Sequence, residues 1–212
     1  MFKPGHKYFY RIALILSFPS LVFAQSAEVA THNESAYACY EAATSVATIE
    51  DFEINSNMFE PCNVALVELG LSDNDRAATF VNRGILHAAS GFLAEALADY
   101  DEALKLYPTL GQVYINRGFV YHFENQLDAA LTDYNYALEL DIKNKHLVHF
   151  ARGIVYEEKN LLDEALDDYR KALEYSPEWM PAKTRLQRVL GRMGQGAEVE
   201  VEVETYAVVY NK

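Results

Sequence analysis

Two cysteines, a repeated Arg–Asp couple and a few histidines are the residues of this 212-residue chain whose types and spacing point to chemistry. Cys39 and Cys62 are its two cysteines, and they lie 23 positions apart. Two thiolates with no histidines nearby would leave a zinc site half-filled. Redox pairs usually sit as Cys-x-x-Cys, so the expectation is one structural disulfide, formed in an oxidising compartment. Asp99, Asp133 and Asp168 recur in step with Arg83, Arg117 and Arg152. Carboxylates can serve acid–base work, but a feature that returns with fixed spacing reads as scaffold, here a helix-to-helix ion pair once per unit. His146 and His149 share a helical face, yet no third ligand accompanies them, and a surface or packing role is expected. There is no Gly-x-Ser-x-Gly, no His-Glu-x-x-His, no phosphate-cradling glycine loop and no calcium loop. Hence no catalytic residues, no metal and no cofactor are assigned, and the chain is read as non-enzymatic.

Charge and the amino terminus narrow the classes further. Eighteen Lys plus Arg stand against 31 Asp plus Glu, a net charge of −13. Residues 1–24 have the parts of a secretory signal: Lys3, Lys7 and Arg11, the apolar stretch Ile12 to Phe18, then Val22 and Ala24 before a cut ahead of Gln25. Removing it takes away three cations and no acid. The apolar run is interrupted by Ser17, Pro19 and Ser20 and is shorter than the roughly 20 residues a spanning helix needs, so no membrane span is expected after cleavage. The excess of acid argues against nucleic acid and anionic membrane surfaces, which would repel it. A hydrophobic fraction of 50% is enough to build a core.

The elements that must hold these residues come from an internal repeat of about 34 residues. Arg83, Arg117 and Arg152 are one column; Gly84, Gly118 and Gly153 the next; Ala96, Ala130 and Ala165, then Leu97, Leu131 and Leu166, follow. Asp99, Asp133 and Asp168, with Tyr100, Tyr134 and Tyr169, and Ala103, Ala137 and Ala172, complete the set. A fixed period of this length signals a solenoid. In the first unit Ala77 to Ala89 and Leu93 to Leu106 each show helical apolar spacing, with Gly91 between them. The same column holds Asn125 and Asn160, residues that tolerate the left-handed backbone ending a helix. Pro108 and Pro177 stop the second helix of their units. Small columns let antiparallel helices approach, and the tyrosines fill the gaps between them.

These columns resemble the tetratricopeptide repeat (TPR) family: a small residue, an aromatic or His three on, then Ala-Leu, Tyr, Ala-Leu and a closing Pro. Ile142 replaces the closing Pro of the second unit, and His87 stands where Tyr121 and Tyr156 sit. The resemblance implies an all-α, right-handed α-solenoid of stacked antiparallel helix hairpins, with a short C-terminal strand-like or flexible tail. The expected layout is a signal at 1–24 and a divergent helical hairpin carrying the disulfide at 25–76. Three repeats follow at 77–110, 111–145 and 146–179, then a capping helix at 180–193 and a tail at 194–212. In the leading hairpin Tyr37 to Ile49 and Met58 to Leu69 are the helices, and antiparallel packing brings Cys39 and Cys62 face to face. Pro181 to Arg192 is expected as an amphipathic cap with Lys183, Arg185, Arg188 and Arg192 facing water. Val199 to Glu204 and Tyr206 to Tyr210 have strand texture.

In this family the first helices line a concave face. By register that face holds Val81, Ile85 and Ala89, then Gln112, Ile115, Asn116, Phe119, His122 and Phe123, then Leu147, Phe150, Ile154, Glu157 and Glu158. Some members grip a peptide's terminal carboxylate with Lys, Arg and Asn. Here Asn116 matches, whereas Val81, Leu147 and Ala151 occupy basic positions, so an apolar or amphipathic segment suits the groove better, with basic residues meeting Glu157 and Glu158. The expected function is a protein- or peptide-binding scaffold of the bacterial cell envelope, an adaptor, assembly factor or holding chaperone, periplasmic or secreted. The alternative is a self-assembling structural protein whose tail joins homo-oligomers.

Overall fold

The computed structural model describes residues 33–48, 54–140 and 142–194. The expected signal and the strand-textured tail lie outside the described residues. Every regular element within them is helical. They run α1 (Glu34–Thr48), a 3-10 turn (Ser56–Phe59), α2 (Glu60–Val67), α3 (Asp73–Ala89), α4 (Leu93–Leu106) and α5 (Gly111–Phe123). Then come α6 (Leu127–Glu139), α7 (Lys145–Glu158), α8 (Leu162–Tyr175) and α9 (Met180–Arg192). The chain divides into two compact units, Met1–Phe123 and Glu124–Lys212.

Local chemistry sets the boundaries. Asn33 caps α1, its Oδ1 accepting from the Ala36 amide at 2.7 Å, while its Nδ2 donates to Glu68. Ser72 caps α3 by accepting from the Asp75 amide at 3.1 Å, and Asp73 and Asp75 place negative charge at the positive helix start. Gly91, Asn125 and Asn160 have φ of 81°, 61° and 58°, the left-handed turn expected of that column. Tyr107 and Ser176, each before a proline, leave the helical region at φ −136°, ψ 89° and φ −145°, ψ 81°, since the proline ring disfavours helical backbone before it, and α4 and α8 stop there. The leading segment differs in detail from its expectation. Its second helix opens with the 3-10 turn, and α2 ends at Val67, leaving Leu69 fully exposed.

In the amino-terminal unit α1 packs on α2 and α3, and α3 packs on α4. One core joins Cys39, Ala43 and Cys62 to Val81, Ile85, Leu86, Ala96, Tyr100, Ala103, Val113 and Val120. The Cys39–Cys62 disulfide is formed and sits wholly inside that core. In the carboxy-terminal unit α6 packs on α7, α7 on α8 and α8 on α9, with Val148, Val155, Tyr169, Leu173, Leu186 and Leu190 buried.

The Gly and Tyr columns explain each other. A Cβ built on Gly84 would lie 2.6 Å from the Tyr100 ring, and one on Gly153 would lie 2.8 Å from the Tyr169 ring. Each tyrosine fills the volume its glycine leaves vacant. Gly84→Ala should therefore cost about 1–3 kcal/mol, because the ring is fully buried and has nowhere to retreat; urea denaturation measures it, and an unchanged midpoint would refute the packing argument. Reducing Cys39–Cys62 should lower stability by about 3 kcal/mol from loop-closure entropy, read by denaturation with and without reductant.

Candidate functional site

The repeated Arg–Asp couple builds the frame. In the first repeat Arg83 forks onto Asp99, Nε to Oδ2 at 3.0 Å and Nη2 to Oδ1 at 2.7 Å. In the third, Arg152 does the same to Asp168 at 2.7 and 2.7 Å. The remaining nitrogen reaches the preceding element: Arg83 Nη1 donates to Asn63 at 2.9 Å, and Arg152 Nη1 to Asn135 at 2.6 Å. One guanidinium thus ties both helices of a hairpin to the helix before it. Arg117 Nη1 likewise reaches the preceding helix, donating to Asp101 at 2.7 Å. Burial raises the Asp168 carboxyl's proton affinity, but the bonds from Arg152 and His149 reverse this and hold it below the usual carboxylate range. The carboxylate is locked as an ion in the frame.

The histidines pack. His149 Nδ1 lies 2.9 Å from Asp168 Oδ1, and its ring stacks on Tyr175. His146 meets Trp179 edge-on at 5.2 Å, and burial lowers its pKa. His87 lies against Phe59 and Phe92, also with a pKa lowered by burial, although Asp99 opposes the shift. Among the described residues no group of three His, Cys, Asp or Glu is placed to hold a metal ion.

The residues assigned to the concave face separate by unit. On α3, Val81 and Ile85 belong to the core. On α5, Gln112, Asn116, Phe119 and Phe123 fall at spacings of four, three and four, one stripe of the helix. Gln112, Phe119 and Phe123 are half-buried; Ile115, Asn116 and His122, along the same side, are buried. Gln112 Nε2 donates to Asn116 Oδ1 at 3.2 Å, and Asn116 Nδ2 is a buried donor with no partner among the described residues. A half-buried phenyl pair beside an amide donor of this kind suits a peptide, which offers side chains and backbone carbonyls together.

On α7 the assigned residues serve their own unit. Leu147, Phe150 and Ile154 are buried, and Phe150 packs on Tyr169 and Trp179 at 5.5 and 4.8 Å. Glu158 is exposed. Glu157, expected to meet a partner's cations, meets those of this chain instead. Arg188 Nη2 donates to its Oε2 at 2.7 Å, Arg185 Nη1 to Oε2 at 3.3 Å, and Arg192 Nη1 to Oε1 at 3.2 Å. The Tyr169 hydroxyl adds a fourth donor at 2.9 Å. The expected helix is present as α9. Arg185, Arg188 and Arg192, expected to face water, stay partly exposed while reaching Glu157 on α7, whereas Lys183, expected to face water as well, is buried with Nζ 3.0 Å from Glu178. A carboxylate withdrawn from water needs compensating donors, and the i, i+3, i+7 spacing of the arginines supplies them from one face of α9. That spacing was legible in the sequence; the location of their common acceptor was not.

The comparisons with known proteins match these features. Tetratricopeptide repeat models match residues 77–110 and 146–179, and a second such model matches 111–144. The chain carries three tetratricopeptide repeats. Among curated proteins none is similar to it in sequence. Of solved structures, MamA is similar at TM-score 0.63 and 18% identity over 82% of this chain and 91% of that one. The first TPR of Spaghetti (RPAP3), bound to HSP90 peptide SRMEEVD, gives 0.53 and 23% over 56% and 93%. YrrB, described as a TPR protein with an unusual peptide-binding site, gives 0.53 and 24% over 58% and 63%. These likenesses show the fold: an all-α TPR solenoid class. Among the described residues no helix is long and apolar enough to cross a membrane.

Glu157 yields a pH prediction. Burial raises its pKa, while the bonds from Arg188 and Tyr169 and the charges of Arg188 and Arg185 outweigh that and hold it low. Its folded pKa thus lies below its unfolded one. The stabilisation is fully present above the usual carboxylate range and is lost as pH falls through it to the native value. Glu157→Gln should flatten that acid limb and lower stability at pH 7; thermal melts from pH 3 to 7 test it, and parallel curves for both proteins would contradict it.

Proposed function

We propose that the protein is a non-enzymatic binding module whose α5 stripe receives a peptide or protein segment. The carrying observation is the juxtaposition on α5 of half-buried Phe119 and Phe123 with the buried Asn116 Nδ2, which has no acceptor among the described residues. The phenyl rings bury partner side chains, and Asn116 donates to a partner carbonyl, on a helix already ordered by the core beneath it, so little ordering cost is incurred. Two solved TPR structures support the reading, one bound to an HSP90 peptide and one described by its peptide-binding site. The partner proposed here differs from a carboxylate-terminal peptide. Val81, Leu147 and Ala151 supply no cation for a terminal carboxylate, so an apolar or amphipathic segment is the better fit.

The setting proposed is the bacterial cell envelope, on two supports: the leader texture of residues 1–24 and the buried disulfide, which persists in oxidising compartments. There the module acts as adaptor, assembly factor or holding chaperone. Phe119→Glu should keep the helical circular dichroism spectrum and the melting midpoint, yet reduce recovery of partners captured from an envelope extract at least about tenfold, the effect of losing one central aromatic anchor. An identical set of partners at identical yield from both proteins would exclude the α5 stripe.

A further inference from the structure

We infer that the cationic face of α9 docks on the acidic face of α1 in a second copy of this chain, joining copies head to tail. Arg185, Arg188 and Arg192 stand on α9 at i, i+3 and i+7, and all three reach a single carboxylate, Glu157. Three cations against one anion leave two positive charges in surplus, on a helix (Met180–Arg192) that contains no Asp or Glu. The surplus faces outward: the Glu157 side chain is 6% exposed, whereas those of Arg188 and Arg192 are 49% and 41% exposed. Gly191 lies on the exposed side next to them. Glycine weakens a helix, and here neither a positive φ nor a close neighbour among the described residues requires it. It leaves a low strip beside Arg188 and Arg192 on which another backbone can lie close.

The complementary face lies at the other end of the described chain. Residues 33–75 carry no Lys or Arg. On α1, Glu34, Tyr37 and Glu41 are exposed, and they follow the same i, i+3 and i+7 spacing. Glu34 and Glu41 are thus about 10.5 Å apart along their helix, as Arg185 and Arg192 are along theirs. Laid side by side, the two helices set each glutamate against an arginine, with the Tyr37 ring between them facing the Arg188 guanidinium. Glu68 accepts from Asn33 and, at 2.9 Å, from Ser35 Oγ, so its exposed neighbours Val67 and Leu69 lie at the amino-terminal end of α1. With Glu34 on Arg185 they approach Met180, exposed at the amino-terminal end of α9, and an apolar contact joins the ionic one. The two copies use different surfaces, so each added copy still offers a free end. A net charge of −13 repels any approach that does not bring these opposite ends together.

Sedimentation velocity on the full chain tests this, over protein concentrations from about 10 µM to about 1 mM, a range suited to a contact of partly exposed ion pairs. In 50 mM NaCl the mean mass should rise with concentration, and 0.5 M NaCl should weaken the association about tenfold by screening. Repulsion between chains of like net charge predicts the opposite salt dependence, so the sign of the effect is diagnostic. E34K/E41K alters two exposed side chains and should stay monomeric with an unchanged circular dichroism spectrum. That variant keeps its own α9, so added in equal amount to the unaltered chain it should end growth and lower the mean mass towards that of a dimer. R192Q, which leaves Glu157 its bonds from Arg185 and Arg188, should weaken association several-fold. A monomer at every concentration in low salt would overturn the inference. So would association that E34K/E41K retains or that 0.5 M NaCl leaves intact. A mixture in which the unaltered chain keeps its full mass would also overturn it, since α1 would then meet something other than α9.

Discussion

The closeness of two antiparallel helices, set by a glycine facing a tyrosine ring, is the constraint on which the described structure depends. Gly84 and Gly153 admit the rings of Tyr100 and Tyr169 where any larger residue would collide with them. Burial drives the rings inward, since a fully buried aromatic contributes some of the largest single increments to a small core. Once the helices are that near, Arg83 and Arg152 can fork onto Asp99 and Asp168, a geometry that needs both donors and both acceptors within about 3 Å. The ion pairs confirm a spacing that the glycine and tyrosine establish.

The same economy of function runs through the polar residues. Asp168 serves Arg152 and His149 at once, and Glu157 serves three arginines and a tyrosine. Groups that in isolation resemble acid–base candidates are thereby held as ions in saturated networks, the condition for a tolerable buried charge. Asn116 differs from these two: its buried nitrogen has no acceptor among the described residues, and it lies beside aromatic surface that is only half covered.

Column by column, the repeat declared itself in the sequence because its constraints are local. A left-handed turn accepts Gly91, Asn125 or Asn160, a proline stops α4 and α8, and a helix must carry apolar residues at helical spacing; each rule can be read along the chain. The pairing of Cys39 with Cys62 was legible for a similar reason, since two cysteines in one leading hairpin leave one intramolecular partner each.

What the sequence determined alone is the helical period, the turn positions, the family and the residue columns, because each depends on neighbours within one repeat. What only the tertiary structure decided is which members of a column are still available to a partner. Phe119 and Ile154 occupy the same column, yet Ile154 is buried within its unit and Phe119 stays half-buried. Glu157 read as an open acid, and α9 placed three arginines on it from about 30 residues away. Accessibility and charge balance are sums over everything packed nearby, and a linear pattern carries no record of which distant segments contribute to them.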